Sequence, residues 1–325
     1  MMKWSHKVVL SITVCFILIY MYVFAFSAKN LKLPFNIISG DENVSRSKLA
    51  MDLTRANNVR RATSEIWRNL MKPQSKISFS ESVDQHYSQA YQDQTVYDIF
   101  PQKNGFFIEM GAYDGKVRSN TLWLERKHNW TGLLIEGNPK SCRSIDRLQR
   151  QVWRLCACVS NEKEASFIMG NEQDEVGGVE KNMPKSHLVH LNNVQRVKIP
   201  CFNLRDVLTI IGVFHVNYFS LDVEGGEIHV LNSITEDLVS RKIIVDVWTI
   251  EYRAWAGQKF DWPTGNENLA NLRAFFKEVG GYVEHSQLAY ESQSLPDGRY
   301  LDVVFVYIET WCKHNGMLPG GKIKC

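Results

Sequence analysis

Apolar positions along the chain fall into three regimes. Residues 8–26, VVLSITVCFILIYMYVFAF, carry no charge over 19 positions. A helix rising about 1.5 Å per residue crosses the ~30 Å hydrocarbon layer with that length, so the stretch reads as a membrane anchor. From 27 to 80 the chain turns polar, with one helical periodicity in MDLTRANNVRRATSEIWRNLMK before Pro73. That is the pattern of a stem holding a domain off the bilayer. From about 88 onward, short apolar runs alternate with amphipathic stretches, the rhythm of strands and helices around a mostly parallel sheet.

This rhythm predicts strands at FFIEM (106–110), TGLLIE (131–136), QVWRLCACVS (151–160), VNYFSLDV (216–223) and KIIVDVWTIEY (242–252). Helices are predicted at 119–128 with Ser119 as cap, at 139–150 opened by Pro139, and at 203–212, 226–234 and 266–280. Residues 160–200 break the rhythm and read as an insertion with extra strands, NEKEASFIMG and VQRVKIP. Two β-rich runs, 281–290 and 300–310, close the chain as an antiparallel hairpin turned at Pro296-Asp297-Gly298. Seven strands ending in a hairpin define a Rossmann-like, methyltransferase-type doubly wound α/β sheet. The predicted layout is a cytosolic tail (1–7), a transmembrane signal anchor (8–26), a stem (27–80), the domain (81–312) and a C-terminal tail (313–325).

Charge and composition narrow the partners. With 38 Lys+Arg against 35 Asp+Glu the net charge is +3, and no basic block or aromatic-interleaved stripe tracks a phosphate backbone, so nucleic acid is excluded. Two sequons, Asn43-Val44-Ser45 and Asn129-Trp130-Thr131, fit N-glycosylation in the secretory lumen. Six cysteines lie beyond the anchor and can form up to three disulfides there. Sequence does not choose among the pairings. Cys156 and Cys158 would share one strand face, as buried thiols or as a bridge. The expected location is the endoplasmic reticulum or Golgi, with a lumenal domain.

Candidate chemistry gathers at predicted strand ends. FFIEM runs into the turn of Gly111, Ala112, Asp114 and Gly115, where glycine admits a close backbone approach. The acids Glu109 and Asp114 disfavour a phosphate-rich ligand and favour a cationic one such as S-adenosylmethionine. The full G-x-G-x-x-G spacing of a nicotinamide site is missing. Glu136, about twenty residues on, stands where a ribose-binding acid belongs, followed by Asn138. Asp222, Glu224 and Glu227 crowd around Gly225-Gly226, and Glu251 ends the fifth strand toward the same rim. Paired carboxylates can make a general base for a hydroxyl or can jointly hold a divalent cation. Glu227 also suits a helix start.

Three blocks, SQAYQDQTVYDIF, GFFIEMGAYDGKVRSNTLWLERKHNWTGLLIEGNP and YFSLDVEGGEIHVL, together resemble the FkbM-type methyltransferase domain over residues 86–310. The form of the second block is similar to the family's animal branch, which includes Star-like single-span membrane proteins. The resemblance implies O-methylation of a hydroxyl with S-adenosylmethionine. It places Glu109, Gly111, Asp114 and Gly115 in the cofactor turn, Glu136 at the ribose, and Asp222 with Glu224 in the D-x-E-G block. The sequence departs from the family pattern twice: Gly137-Asn138-Pro139 replaces the usual short residue after the ribose acid's neighbour, and the third strand ends in Cys156-Ala157-Cys158 without an acid for the adenine amine. Two functions follow as expectations. One is a membrane-anchored methyltransferase acting on a glycan or small hydroxylated acceptor, and the other is a non-catalytic escort of membrane-protein cargo.

Overall fold

The computed structural model describes residues 60–74, 79–148, 150–169, 177–189, 194–256, 259–289 and 300–317, with isolated positions at 51, 54, 57, 319 and 325. The predicted tail, anchor and Asn43 lie outside the described residues, as does the turn at 296–298. Among the described residues no helix is long and apolar enough to cross a membrane. The chain divides into two compact units, residues 1–57 and 58–325. The fold lies in the second.

Its strands are β1 (Leu70–Met71), β2 (Phe106–Met110), β3 (Thr131–Glu136), β4 (Trp153–Cys156), β5 (Cys158–Val159), β6 (Glu164–Met169), β7 (Gly177–Val179), β8 (Gln195–Phe202), β9 (His215–Leu221), β10 (Ile244–Glu251), β11 (Trp255–Ala256), β12 (Lys259–Phe260), β13 (Tyr282–Ala289) and β14 (Tyr300–Tyr307). The main sheet runs β1-β4-β3-β2-β9-β10-β14-β13. Strands β4, β3, β2, β9 and β10 are mutually parallel, and β14 and β13 close the sheet antiparallel.

The sheet has eight strands where the sequence reading has seven, because β1 pairs antiparallel with β4, Leu70 opposite Leu155. β1 and the helix before it come from the predicted stem. Ile66 and Leu70 are buried in the same core as β2 and β9, so the domain begins well before residue 81. The polar composition of that helix's outer face hides the few apolar side chains that dock it.

Both faces of the sheet are covered, which is why its parallel strands read as unbroken apolar runs. Alternate residues feed opposite cores: Ile108, Phe219 and Trp248 enter one, Phe107, Tyr218 and Val247 the other. Register makes each trio neighbours, and Phe219 stacks on Trp248 with centroids 4.5 Å apart.

The predicted third strand is two strands. At Ala157, whose N–H donates to the Glu136 carbonyl at 2.9 Å, the chain leaves the main sheet and β5 joins a second sheet, β5-β8-β6-β7. This second sheet is the predicted insertion. The kink sends neighbouring cysteines to different partners: Cys142 bridges Cys156, Cys158 bridges Cys201, and Cys312 bridges Cys325. The Cys312–Cys325 bridge and the helix Ile308–Asn315 tie down part of the predicted C-terminal tail. The aromatic loop after β10 also has structure. β11 and β12 form a small hairpin, and Asp261 caps the helix Trp262–Val279 by accepting from Thr264 N–H, with Pro263 in its first turn, so the helix starts four residues earlier than predicted.

Candidate active site

Beyond the carboxyl ends of β2, β3 and β9 lies a cavity with about 150 Å³ open to the centre of a water molecule. A single water needs roughly 10–15 Å³ by this measure, so the space suits a small molecule. Strand ends at a reversal of strand order are where open α/β sheets bind ligands. Here the order reverses between β2 and β9.

The turn after β2 forms one wall. Gly111 has φ +86°, and a Cβ there would sit 1.7 Å from the Asp222 carbonyl oxygen. Its missing side chain therefore lets the turn pass against the end of β9. Gly115 (φ +82°) packs on Ile145, and Asp114 accepts the N–H groups of Lys116 and Val117 at 2.8 Å each. Both shape the turn from outside the cavity wall. Three non-glycine residues in the wall, Tyr113, Arg118 and Glu224, hold positive φ (48°, 58° and 57°). Backbone strain of that kind persists where the surroundings fix it, and it gathers at ligand sites.

Glu109 is committed inward. It accepts from the Ser119 hydroxyl at 2.9 Å and the Asn120 N–H at 2.7 Å, and also from the Thr121 hydroxyl, with Arg150 Nη1 at 3.5 Å. Burial pushes its carboxyl up, and Arg150 and these donors pull it back. Ser119, the predicted helix cap, does accept from Thr121 and Leu122 N–H, although the helix itself runs Leu122–His128. So Glu109 touches the cavity wall mainly as the post on which the 115–121 loop hangs.

Glu136 faces the cavity. Its Oε2 accepts from Tyr113 N–H at 2.8 Å and its Oε1 from Asn138 N–H at 2.6 Å. Burial lifts this carboxyl to about 7 against the pull of those donors. Ala112 and Asn138 complete this side, and Cys158 of the Cys158–Cys201 bridge lines it where an adenine-binding acid would stand.

At the opposite end the acids converge. Asp222, Glu224 and Glu251 each bring a carboxylate oxygen within 4.8 Å of the other two, with Glu251 buried and the others half-buried. Burial first, and then Glu251, push Asp222 well above the carboxylate range. Burial and Asp222 lift Glu224 to about 8. Burial likewise lifts Glu251 to about 8, with Arg253 opposing it. Glu227 turns to the backbone, accepting Val223 N–H at 2.8 Å and Gly225 N–H at 3.2 Å, and caps this turn. His229 is exposed. A guanidinium stands at the cluster's edge, with Arg253 Nη2 2.6 Å from Glu251 Oε1.

Sequence reading missed Arg253, Asn120 and Asn182. Arg253 follows Glu251 by two residues, a same-face spacing that could have exposed it. Nothing in the sequence ties Asn182, in the insertion, to this wall.

A doubly wound sheet with a glycine turn and strand-end acids around a cavity marks a small-molecule site. Residues 109–283 match the model of the methyltransferase FkbM domain, more than half of the chain, and the chain belongs to that family. No curated protein sequence matches it. Among solved structures it is similar to an FkbM methyltransferase from Methylobacillus flagellatus (12% identity, TM-score 0.39, covering 63% of this chain and 44% of that one). It is also similar to a TehB-like SAM-dependent methyltransferase from Corynebacterium glutamicum (11%, 0.37, covering 67% and 88%). A third is the N-terminal domain of EvdMO1 in the presence of SAH and D-fucose (12%, 0.36, covering 78% and 96%). The chain thus spans less than half the length of the FkbM structure it matches. At these identities and TM-scores the likenesses carry no weight of their own, and the family rests on residues 109–283.

Family membership implies S-adenosylmethionine as the cofactor, and the cavity fits it. Asn120 and Asn182, both in the wall, have buried side-chain carbonyl oxygens without a hydrogen-bond partner among the described residues, as a polar ligand would require. Glu136 would hold hydroxyl groups, and Gly111 and Ala112 would line the cofactor.

Proposed function

We propose that this chain is an S-adenosylmethionine-dependent O-methyltransferase, anchored in a secretory-pathway membrane through residues 8–26, with a hydroxyl of a glycan or other small molecule as acceptor. The observation that carries this reading is the convergence of Asp222 and Glu224 in the wall of a cavity that the Gly111 turn and Glu136 also line, with Glu251 against that pair. When bound, S-adenosylmethionine supplies an electrophilic methyl group on a cationic sulfur. Asp222 and Glu224 would orient the acceptor hydroxyl by hydrogen bonding, and one of the pair takes its proton as the oxygen–methyl bond forms and the methyl–sulfur bond breaks. Glu224, raised to about 8, suits that task, since a base works best with a pKa near the operating pH. Three disulfides and an exposed sequon residue, Asn129, support a lumenal setting.

Calorimetry of S-adenosylmethionine on the full chain in detergent micelles tests the reading. Saturable heat in the micromolar range, lost in competition with S-adenosylhomocysteine, is the expected result. No heat at millimolar ligand in a folded chain would sink it and move the protein to the Star-like escort role.

A further inference from the structure

Arg253 lies just past β10, with its side chain 13% exposed and that of its partner Glu251 4%. The Phe260 ring centroid lies 5.7 Å from the guanidinium carbon. The β11–β12 hairpin holds that ring in place, pairing Trp255 with Phe260. Four more acids surround this clamp. Asp222 and Glu224 come from the turn after β9, and Glu227 from the next helix start. Asp302 of β14 is the register neighbour of Glu251 and accepts from Gln92 Nε2 at 2.7 Å. Arg118, from the loop of the glycine turn, acts on Glu224 from the far side. Carboxylates crowded out of water cannot all ionise together, and neighbours keep a proton between them and titrate as a set.

We propose that Arg253 is a positioning residue for methyl transfer: in contact with Glu251 and beside the Phe260 ring, it holds Glu251 as an anion and leaves Glu224 to receive the acceptor's proton. This rests on the methyltransferase reading above. Geometry assigns the role, because the guanidinium touches Glu251 at 2.6 Å, is almost buried, and also lies over the Phe260 ring. The electrostatics agree, since Arg253 opposes the upward push of burial on Glu251, Glu224 and Asp222. Without the guanidinium all three carboxyls hold their protons to higher pH, so proton acceptance begins later as pH rises.

The experiment is a pH titration by NMR of the full chain in detergent micelles, with Asp and Glu carboxyl carbons labelled with 13C. Calorimetry of S-adenosylmethionine and a thermal melt are run beside it. In Arg253→Met the cluster's signals should titrate about one pH unit higher, a tenfold change in proton affinity. Arg253→Lys, which keeps the charge without the fork, should shift them less. A titration unmoved in folded Arg253→Met overturns the proposal whatever the calorimetry shows. A moved titration with cofactor binding intact supports it. A titration moved in Arg253→Met while the wild-type chain binds no S-adenosylmethionine keeps the clamp but overturns its assignment to methyl transfer, together with the reading it rests on.

Discussion

Glu136 and Glu251 make a matched pair with opposite treatment. Each ends a parallel strand of the same sheet, and each is buried with its carboxyl pushed upward by desolvation. Glu136 is met by two backbone N–H groups, at 2.8 and 2.6 Å, and no acid among the described residues acts on it. Glu251 is met by Arg253 and crowded by Asp222 and Glu224. Backbone donors do not move and do not titrate, so Glu136 is a fixed acceptor suited to holding a ligand. An acid among acids trades protons with its neighbours, so the Glu251 end is suited to proton transfer. On the proposed function, the Glu136 side would serve binding and the Glu251 cluster chemistry.

The largest expected effect tests the chemical end. Asp222→Asn combined with Glu224→Gln keeps the shape and removes the proton acceptors. Transfer of a labelled methyl group to a panel of methyl glycosides should fall by roughly 10²–10⁴, the usual contribution of general base catalysis. Cofactor affinity measured by calorimetry should stay within about threefold. Equal losses in both measurements would erase the division between the two ends.

Next comes Glu109, which the sequence reading places at the cofactor and the structure places beneath the loop. Glu109→Gln leaves Arg150 buried with Glu125 as its remaining carboxylate, and it turns an amide toward donors that need an acceptor. Urea unfolding should show a loss of about 3 kcal/mol, the lower end of the range for breaking a buried pair. A variant of undiminished stability that binds cofactor poorly would return Glu109 to the ligand.

These cases show what the sequence could and could not tell. Five parallel strands were legible because strands buried on both faces leave runs such as FFIEM and TGLLIE, and two of them match to the residue. β1 was not, because two residues in a polar segment carry no periodicity. Strand-end acids were legible as a group, since strand direction fixes where their tips lie. Their individual roles were not, because these depend on which backbone N–H groups curl back. Glu109 looks like a ligand acid until Ser119, Asn120 and Thr121 are seen to close on it. The Cys156-Ala157-Cys158 run hid a sheet change at one alanine, and with it the separation of the two bridges.

The smallest effect bears on the binding end. Glu136→Gln preserves volume but offers one carbonyl oxygen where the chain supplies two N–H donors, so either Tyr113 or Asn138 N–H must face the new amide nitrogen. A vicinal pair of ribose hydroxyls also loses the charged acceptor. Hydrogen bonds to charged groups contribute about 1.5–3 kcal/mol, and the turn's rearrangement absorbs part of that, so cofactor affinity should weaken about tenfold at pH 8, where Glu136 is ionised. The sign reverses for the empty protein. A carboxyl raised to about 7 in the fold costs stability as pH climbs from the ordinary carboxylate range through 7, because the unfolded chain releases its proton first. Replacing it with a neutral amide removes that cost, so the ligand-free variant should lose less stability between pH 5 and pH 8 than the wild type. Weaker binding together with a flatter stability profile is the signature of an acid kept for its ligand. Weaker binding with a steeper profile would make Glu136 a prop of the turn, like Glu109, and the contrast with Glu251 would no longer be one of binding against chemistry.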